Sequence, residues 1–124
     1  MNIGQILKTK ARGVSTARPE DSIQEITTRL AHRKIGAVVI VGDNGKVVGI
    51  ISERDIIRML AEYGSAALAL PASAGMTREV VSCSKTSTLE EIMNAMTTGR
   101  FRHLPVLEDG SLVGIISIGD VVKH

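Results

Sequence analysis

The feature that most constrains this chain is a repeat that nearly fills it. Residues 43–58 read DNGKVVGIISERDIIR and residues 108–123 read EDGSLVGIISIGDVVK, an offset of 65 with 7 of 16 positions identical. The match continues backwards at an offset of 66, Gly42 being the one-residue insertion. Val38–Val41 then pairs with Leu104–Leu107, Ser22-x-x-Glu25 with Thr88-x-x-Glu91, and Val14 with Val80. Each copy spans about 50 of the 124 residues, so the chain is a two-unit arrangement and not a long solenoid.

Both copies spell the same element order. Ser22/Glu25 and Thr88/Glu91 are capping boxes that open a helix. Apolar residues follow at helical spacing, Ile23, Ile26 and Leu30 in the first copy and Leu89, Ile92, Met93 and Met96 in the second. A strand comes next, over Val38–Val41 or Leu104–Leu107, then a Gly-ended turn and a returning strand, Lys46–Ile51 or Ser111–Ile116. A second helix starts after Ser52 or Ser117, and a short extended segment near Val14 or Val80 precedes each first helix. The unit is β-α-β-β-α, twice, an α/β (α+β) chain.

The expected division is 1–65 for the first repeat with its lead segment, 66–75 for a linker and 76–124 for the second repeat. The stretch Gly64–Gly75 is small, Ala-rich and broken by Pro71. The last helix has about seven residues to His124, whereas its counterpart runs over Glu53–Tyr63, so the native chain is expected to continue past His124.

Composition narrows the function classes. One Tyr, one Phe and no Trp leave the core to Ile, Val, Leu, Met and Ala, and disfavour a base-stacking platform for single-stranded nucleic acid. A net charge of +2 is too small to imply DNA or membrane binding. The single Cys excludes an internal disulfide and a multi-cysteine zinc site. His32, His103 and His124 are too scattered for a metal motif. Cys83 reads as a small residue in or near a strand, with no sequence signature of a nucleophile and base. No P-loop, nucleophile elbow or catalytic-carboxylate motif is present. The N-terminus has no apolar signal region, and the apolar runs are of strand length. The expectation is a soluble cytoplasmic protein that is not an enzyme, with no required cofactor and neither nucleic-acid nor membrane partners.

Two local signals carry chemistry. Gly49-Ile-Ile-Ser52-Glu-Arg-Asp55 and Gly114-Ile-Ile-Ser117-Ile-Gly-Asp120 both read G-I-I-S-x-x-D at a strand-to-helix junction. In one reading Ser is the N-cap, Asp closes a capping box and Gly relieves crowding in the strand. In the other, the unpaired N–H groups at the helix start and the Ser hydroxyl face a phosphate, and the Asp accepts both hydroxyls of a ribose. The two readings are compatible. The second signal is Arg100-Phe-Arg102-His103, either a solvated helix end or an anion clamp. In the first copy Lys34 stands at Arg100, but Gly36 and Ala37 stand at Arg102 and His103, so the copies are chemically unequal.

The paired G-I-I-S-x-x-D motifs, with the stretch R-H-L-P-V-x-x-x-G-x-L-V-G-I-I-S, resemble a tandem of cystathionine β-synthase (CBS) domains, a Bateman module. The resemblance covers the whole chain. It implies two pseudo-twofold β-α-β-β-α repeats packed sheet to sheet with two clefts between them, each cleft borrowing the leading segment of the opposite repeat. It implies an adenosyl ligand: AMP first, with ADP, ATP, NAD(H) or S-adenosylmethionine as alternatives. One nucleotide site would then comprise Asp120, Ser117, Arg102 and His103 with Lys10, Val14, Ser15, Thr16 and Ile116. A second, weaker site would comprise Asp55, Ser52, Lys34 and Ile35 with Thr77 and Ser82. The function implied is a regulatory energy or redox sensor acting on an enzyme or transporter in a separate chain. The competing reading is an oligomerisation module with no nucleotide. A homodimer is expected in either case, formed through helix residues such as Met59, Leu60, Tyr63, Met93 and Met96.

Overall fold

The computed structural model describes residues 2–9 and 14–123; Lys10, Arg12 and His124 lie outside them. The elements are α1 (Ile3–Thr9), β1 (Thr16–Ala17), α2 (Ile23–Arg33), β2 (Ala37–Val41), β3 (Val47–Ser52), α3 (Glu53–Tyr63), α4 (Leu89–Gly99), β4 (His103–Glu108), β5 (Ser111–Ser117) and α5 (Ile118–Val122). The fold is mixed α+β. By packing, the chain separates into two compact units, one of residues 15–80 and one of residues 1–14 with 81–124. The expected division by repeats follows the sequence, whereas packing assigns the residues before β1 to the unit of the second repeat.

In the unit of residues 15–80, β1 pairs parallel with β2, and β2 pairs antiparallel with β3. Helix α2 opens on the expected box: Ser22 Oγ accepts from Glu25 N at 3.1 Å. It buries Ile23, Ile26 and Leu30 against Val38, Ile40, Ile51, Ile56 and Met59. Each such side chain contributes roughly 1.5–3 kcal/mol when taken out of water. The stretch expected as a linker is a packed strap. It forms short 3-10 turns at Gly64–Ala69 and Ala72–Ala74, with Ala67 and Ala72 fully buried. Its backbone is tied to the start of α2, Ile23 N donating to Leu70 O at 2.9 Å and Ala72 N to Asp21 O at 2.7 Å. Small side chains allow that close approach. Beyond the strap, Thr77 pairs with Ile50 on the free edge of β3.

The other unit repeats the pattern with an antiparallel β4–β5 pair and a parallel bridge from Cys83 to Val106. That bridge is the repeat equivalent of Ala17 beside Ile40. Both hairpins carry a register shift at matching places, Ile40/Val41 and Val106/Leu107. The second turn uses left-handed Asp109 and Gly110, at φ 51° and 81°, as a tight hairpin requires. The first turn is one residue longer, with Gly42 N donating to Lys46 O at 2.8 Å, which explains the change of offset.

Helix α1 was not anticipated. Its signals are Ile3, Ile6 and Leu7 at helical spacing and Asn2, whose Oδ1 accepts from Gln5 N at 3.1 Å. Ile3 and Ile6 are buried with Ile92, Leu104, Val106 and Ile116. The motif glycines are spacing residues. A Cβ on Gly49 would stand 2.6 Å from Met76 Sδ, and one on Gly114 2.7 Å from Leu7 Cδ2.

Candidate functional site

In the unit of residues 15–80, the turn from β3 into α3 carries Ser52 and Asp55. Asp55 is buried, with only 5% of its surface exposed. Its Oδ2 accepts from Ser52 N at 2.8 Å and from Ser52 Oγ at 3.2 Å. Its Oδ1 accepts from Thr77 Oγ1 at 3.2 Å and faces Arg58 Nη1 at 3.1 Å. Ser52, Asp55 and Thr77 are therefore brought together. Arg58 completes the group and was missed, although its place one turn after Asp55 is a common ion-pair spacing. Lys34 is the exposed, left-handed C-cap of α2, at φ 55°. Ile35 is half-buried and packs against the apolar core. Ser15 is buried, and its carbonyl accepts from Val39 N at 3.1 Å. The Thr16 carbonyl accepts from the Arg29 guanidinium.

In the other unit, the turn from β5 into α5 carries a reciprocal box. Asp120 Oδ2 accepts from Ser117 N at 2.8 Å and from Ser117 Oγ at 3.0 Å, while Ser117 Oγ accepts from Asp120 N at 3.1 Å. Two residues separated from this box by a whole hairpin arrive beside it. His103 lies opposite Ser117 across β4 and β5, and the Arg102 carbonyl accepts from Ile118 N at 2.8 Å. The Arg102 side chain is exposed and His103 is half-buried. Ile116, expected in the nucleotide site, is instead fully buried among Ile3, Ile6 and Leu104 and serves the core. Val14 is half-buried and Ser82 exposed. Lys10 lies outside the described residues.

The capping reading accounts for the backbone donors that a phosphate was expected to use. Ile118 N is taken by Arg102 O, Asp120 N by Ser117 Oγ, and Glu53 N by Gly36 O at 3.1 Å. Three of the amides at the two helix starts are thus used within the chain, which moves more of any anion attraction to the side chains. Burial pushes the Cys83 thiol up to about 11, so at neutral pH it is a protonated, weakly nucleophilic group. Among the described residues no cluster of His, Cys, Asp and Glu has metal-site geometry, and no helix is long and apolar enough to cross a membrane.

Met59 and Met96, expected on an exposed helix face, are buried in the two cores at 2% and 4% exposure. The apolar residues that do face outward on α3 are Ile57, Leu60 and Tyr63, and Met93 faces outward on α4.

Comparison with known proteins gives one consistent answer. The CBS domain family model matches residues 4–62 and 72–124. The crystal structure of the CBS-domain containing protein ATU1752 from Agrobacterium tumefaciens is 48% identical with a TM-score of 0.94, covering 98% of this chain and 91% of that one. The CBS domain pair of protein MJ0100, in complex with 5-methylthioadenosine and S-adenosyl-L-methionine, is 26% identical with a TM-score of 0.87 over 99% of this chain and 94% of that one. CBS domain protein PAE2072 from Pyrobaculum aerophilum, complexed with AMP, is 25% identical with a TM-score of 0.86 over 97% of this chain and 89% of that one. The chain spans 63%, 71% and 62% of the length of three curated relatives.

Proposed function

The chain belongs to the CBS domain family, and on that footing we propose that it is a non-catalytic regulatory module that binds an adenosine-containing ligand, AMP first among them. The observation that carries this reading is the meeting of Arg102 and His103 with the Ser117–Asp120 box at one end of the β4–β5 hairpin. A cation beside a carboxylate suits a nucleoside monophosphate: the guanidinium takes the phosphate and the carboxylate accepts ribose hydroxyls. AMP, 5-methylthioadenosine and S-adenosylmethionine, the ligands of two structural neighbours, share the adenosine that such a carboxylate would hold. The module then senses energy or redox state for an enzyme or transporter in another chain, in the reducing cytoplasm that a single unpaired Cys suits. The outward face of α3 favours a second element of the same reading, a homodimer formed through helices, which an empty oligomerisation module would share.

The test crosses Asp120→Asn with removal of the ligand's 2′-hydroxyl. Losing a charge-assisted bond costs about 1.5–3 kcal/mol, roughly 10- to 150-fold in affinity. Calorimetry should show that loss for Asp120→Asn with AMP, and little further loss when the mutant meets 2′-deoxy-AMP. Zero coupling in a folded protein would leave Asp120 as a helix cap and nothing more.

A further inference from the structure

Asp55 is the only buried charged side chain among the described residues. A buried carboxylate persists only when its acceptor positions are filled. Here four donors fill them: Ser52 N and Oγ on Oδ2, Thr77 Oγ1 and the Arg58 guanidinium on Oδ1. A carboxylate offers about four such positions, so a ribose diol would have to evict donors already in place. Arg58 is committed twice over, since its Nη2 also donates to Gly75 O at 3.1 Å. Thr77 is held twice as well. Its backbone exchanges bonds with Ile50, at 2.9 and 3.0 Å, while its hydroxyl reaches the carboxylate.

The residues that supply the two extra donors are not repeated in the second copy. At the offset of 66 the residue matching Thr77 is Ala11, which has no hydroxyl. At the offset of 65 the residue matching Arg58 is Lys123, a point charge that cannot bridge a carboxylate and a carbonyl with two fixed N–H groups. The capping box is thus common to both repeats, and the residue types that meet Asp55 Oδ1 are not.

We infer that Asp55 is a structural anchor: with Arg58 and Thr77 it latches residues 75–77 onto β3, and this latch excludes an adenosine ligand from the first repeat. The ligand half of the inference rests on the proposed function; the latch half stands without it. Arg58 and Thr77 then act against binding at the first repeat, beyond the lack of cations at Gly36 and Ala37.

Two measurements on the full chain decide it. Amide exchange by mass spectrometry reads the latch. Exchange at Ile50 and residue 77 should rise on the order of tenfold in Thr77→Val and several-fold in Arg58→Gln, with Thr77→Ser restoring protection and Leu104 and Val106 unchanged. Unchanged exchange in both variants overturns the latch. Calorimetry with AMP reads the ligand half: one AMP per wild-type chain, with Arg58→Gln within about twofold of wild type in affinity, supports it. Two AMP per chain, or a tenfold loss on Arg58→Gln, overturns it. If AMP does not bind at all, the proposed function fails while the exchange result still decides the latch.

Discussion

Replacing Gly49 by Ala tests the packing argument for the G-I-I-S motif, because the same change at Gly114 is its internal control. At Gly49 the new methyl would lie 2.6 Å from Met76 Sδ, 2.8 Å from Met76 Cγ and 3.1 Å from Thr77 O. Met76 is itself a core residue, 8% exposed, so its thioether has little room to swing aside. Thr77 O is the acceptor for Ile50 N, so moving the segment away also strains that backbone pair. Overpacking of this kind costs about 1–3 kcal/mol, and a weakened backbone bond adds about 1. At Gly114 the nearest atoms all belong to Leu7, with Cδ2 at 2.7 Å and Cδ1 at 3.2 Å. Leu7 is half-buried on a seven-residue helix, so its side chain can give way, at a cost of about 1 kcal/mol. Urea melts followed by circular dichroism should therefore rank Gly49→Ala as the more destabilising by about 2 kcal/mol. Met76→Ala should recover part of the loss in the Gly49→Ala background, with a coupling of about 1–2 kcal/mol. Equal costs at the two glycines, or no coupling with Met76, would refute the reasoning.

Two further outcomes follow from the same structure. Burial raises the Cys83 thiol from 9.0 to about 11. Its contribution to stability is complete below the unfolded value and is lost as pH climbs through the folded one. Native Cys83 should resist iodoacetamide at pH 8, and Cys83→Ala should flatten the alkaline decline in stability; fast alkylation of folded protein would contradict the burial. Leu60→Glu places a charge on the outward face of α3, where Leu60 is 38% exposed, and should convert a sedimenting dimer to a folded monomer. A wild-type chain that sediments as a monomer would remove the helix-face reading.

Much of the fold was legible because it is local and stated twice. The capping boxes at Ser22 and Thr88, the apolar spacing after them and the glycine turns all lie within a few residues of what they specify. The Ser52–Asp55 and Ser117–Asp120 boxes were legible for the same reason. What escaped the sequence depends on chain returning from far away. Leu7 covers Gly114, and Thr77 reaches Asp55 across 22 positions, with no periodicity to announce either contact. Small residues and Pro71 make Gly64–Gly75 read as a linker, and the same small side chains let its backbone dock at the start of α2. The resemblance assigns Ile35 and Ile116 to a ligand; packing buries Ile116 fully in its core, whereas Ile35 packs against the other core and stays half-buried.

A duplicated chain also says where to look for function: in the places where its two copies disagree. Positions the repeats share, Gly49 and Gly114 or Ser52 and Ser117, are those the fold itself requires of each unit. Positions they do not share are free of that requirement and can take a separate role. Gly36 and Ala37 against Arg102 and His103 give the second repeat the cations. Thr77 and Arg58 against Ala11 and Lys123 give the first repeat the extra donors. On the proposed reading the two differences act in the same direction, because one supplies what a phosphate needs and the other occupies what a ribose needs. On that reading an identical Asp at equivalent positions anchors backbone in one repeat and meets a ligand in the other. In the first repeat that anchoring comes from Thr77, 22 positions away, and from Arg58, one turn along the same helix.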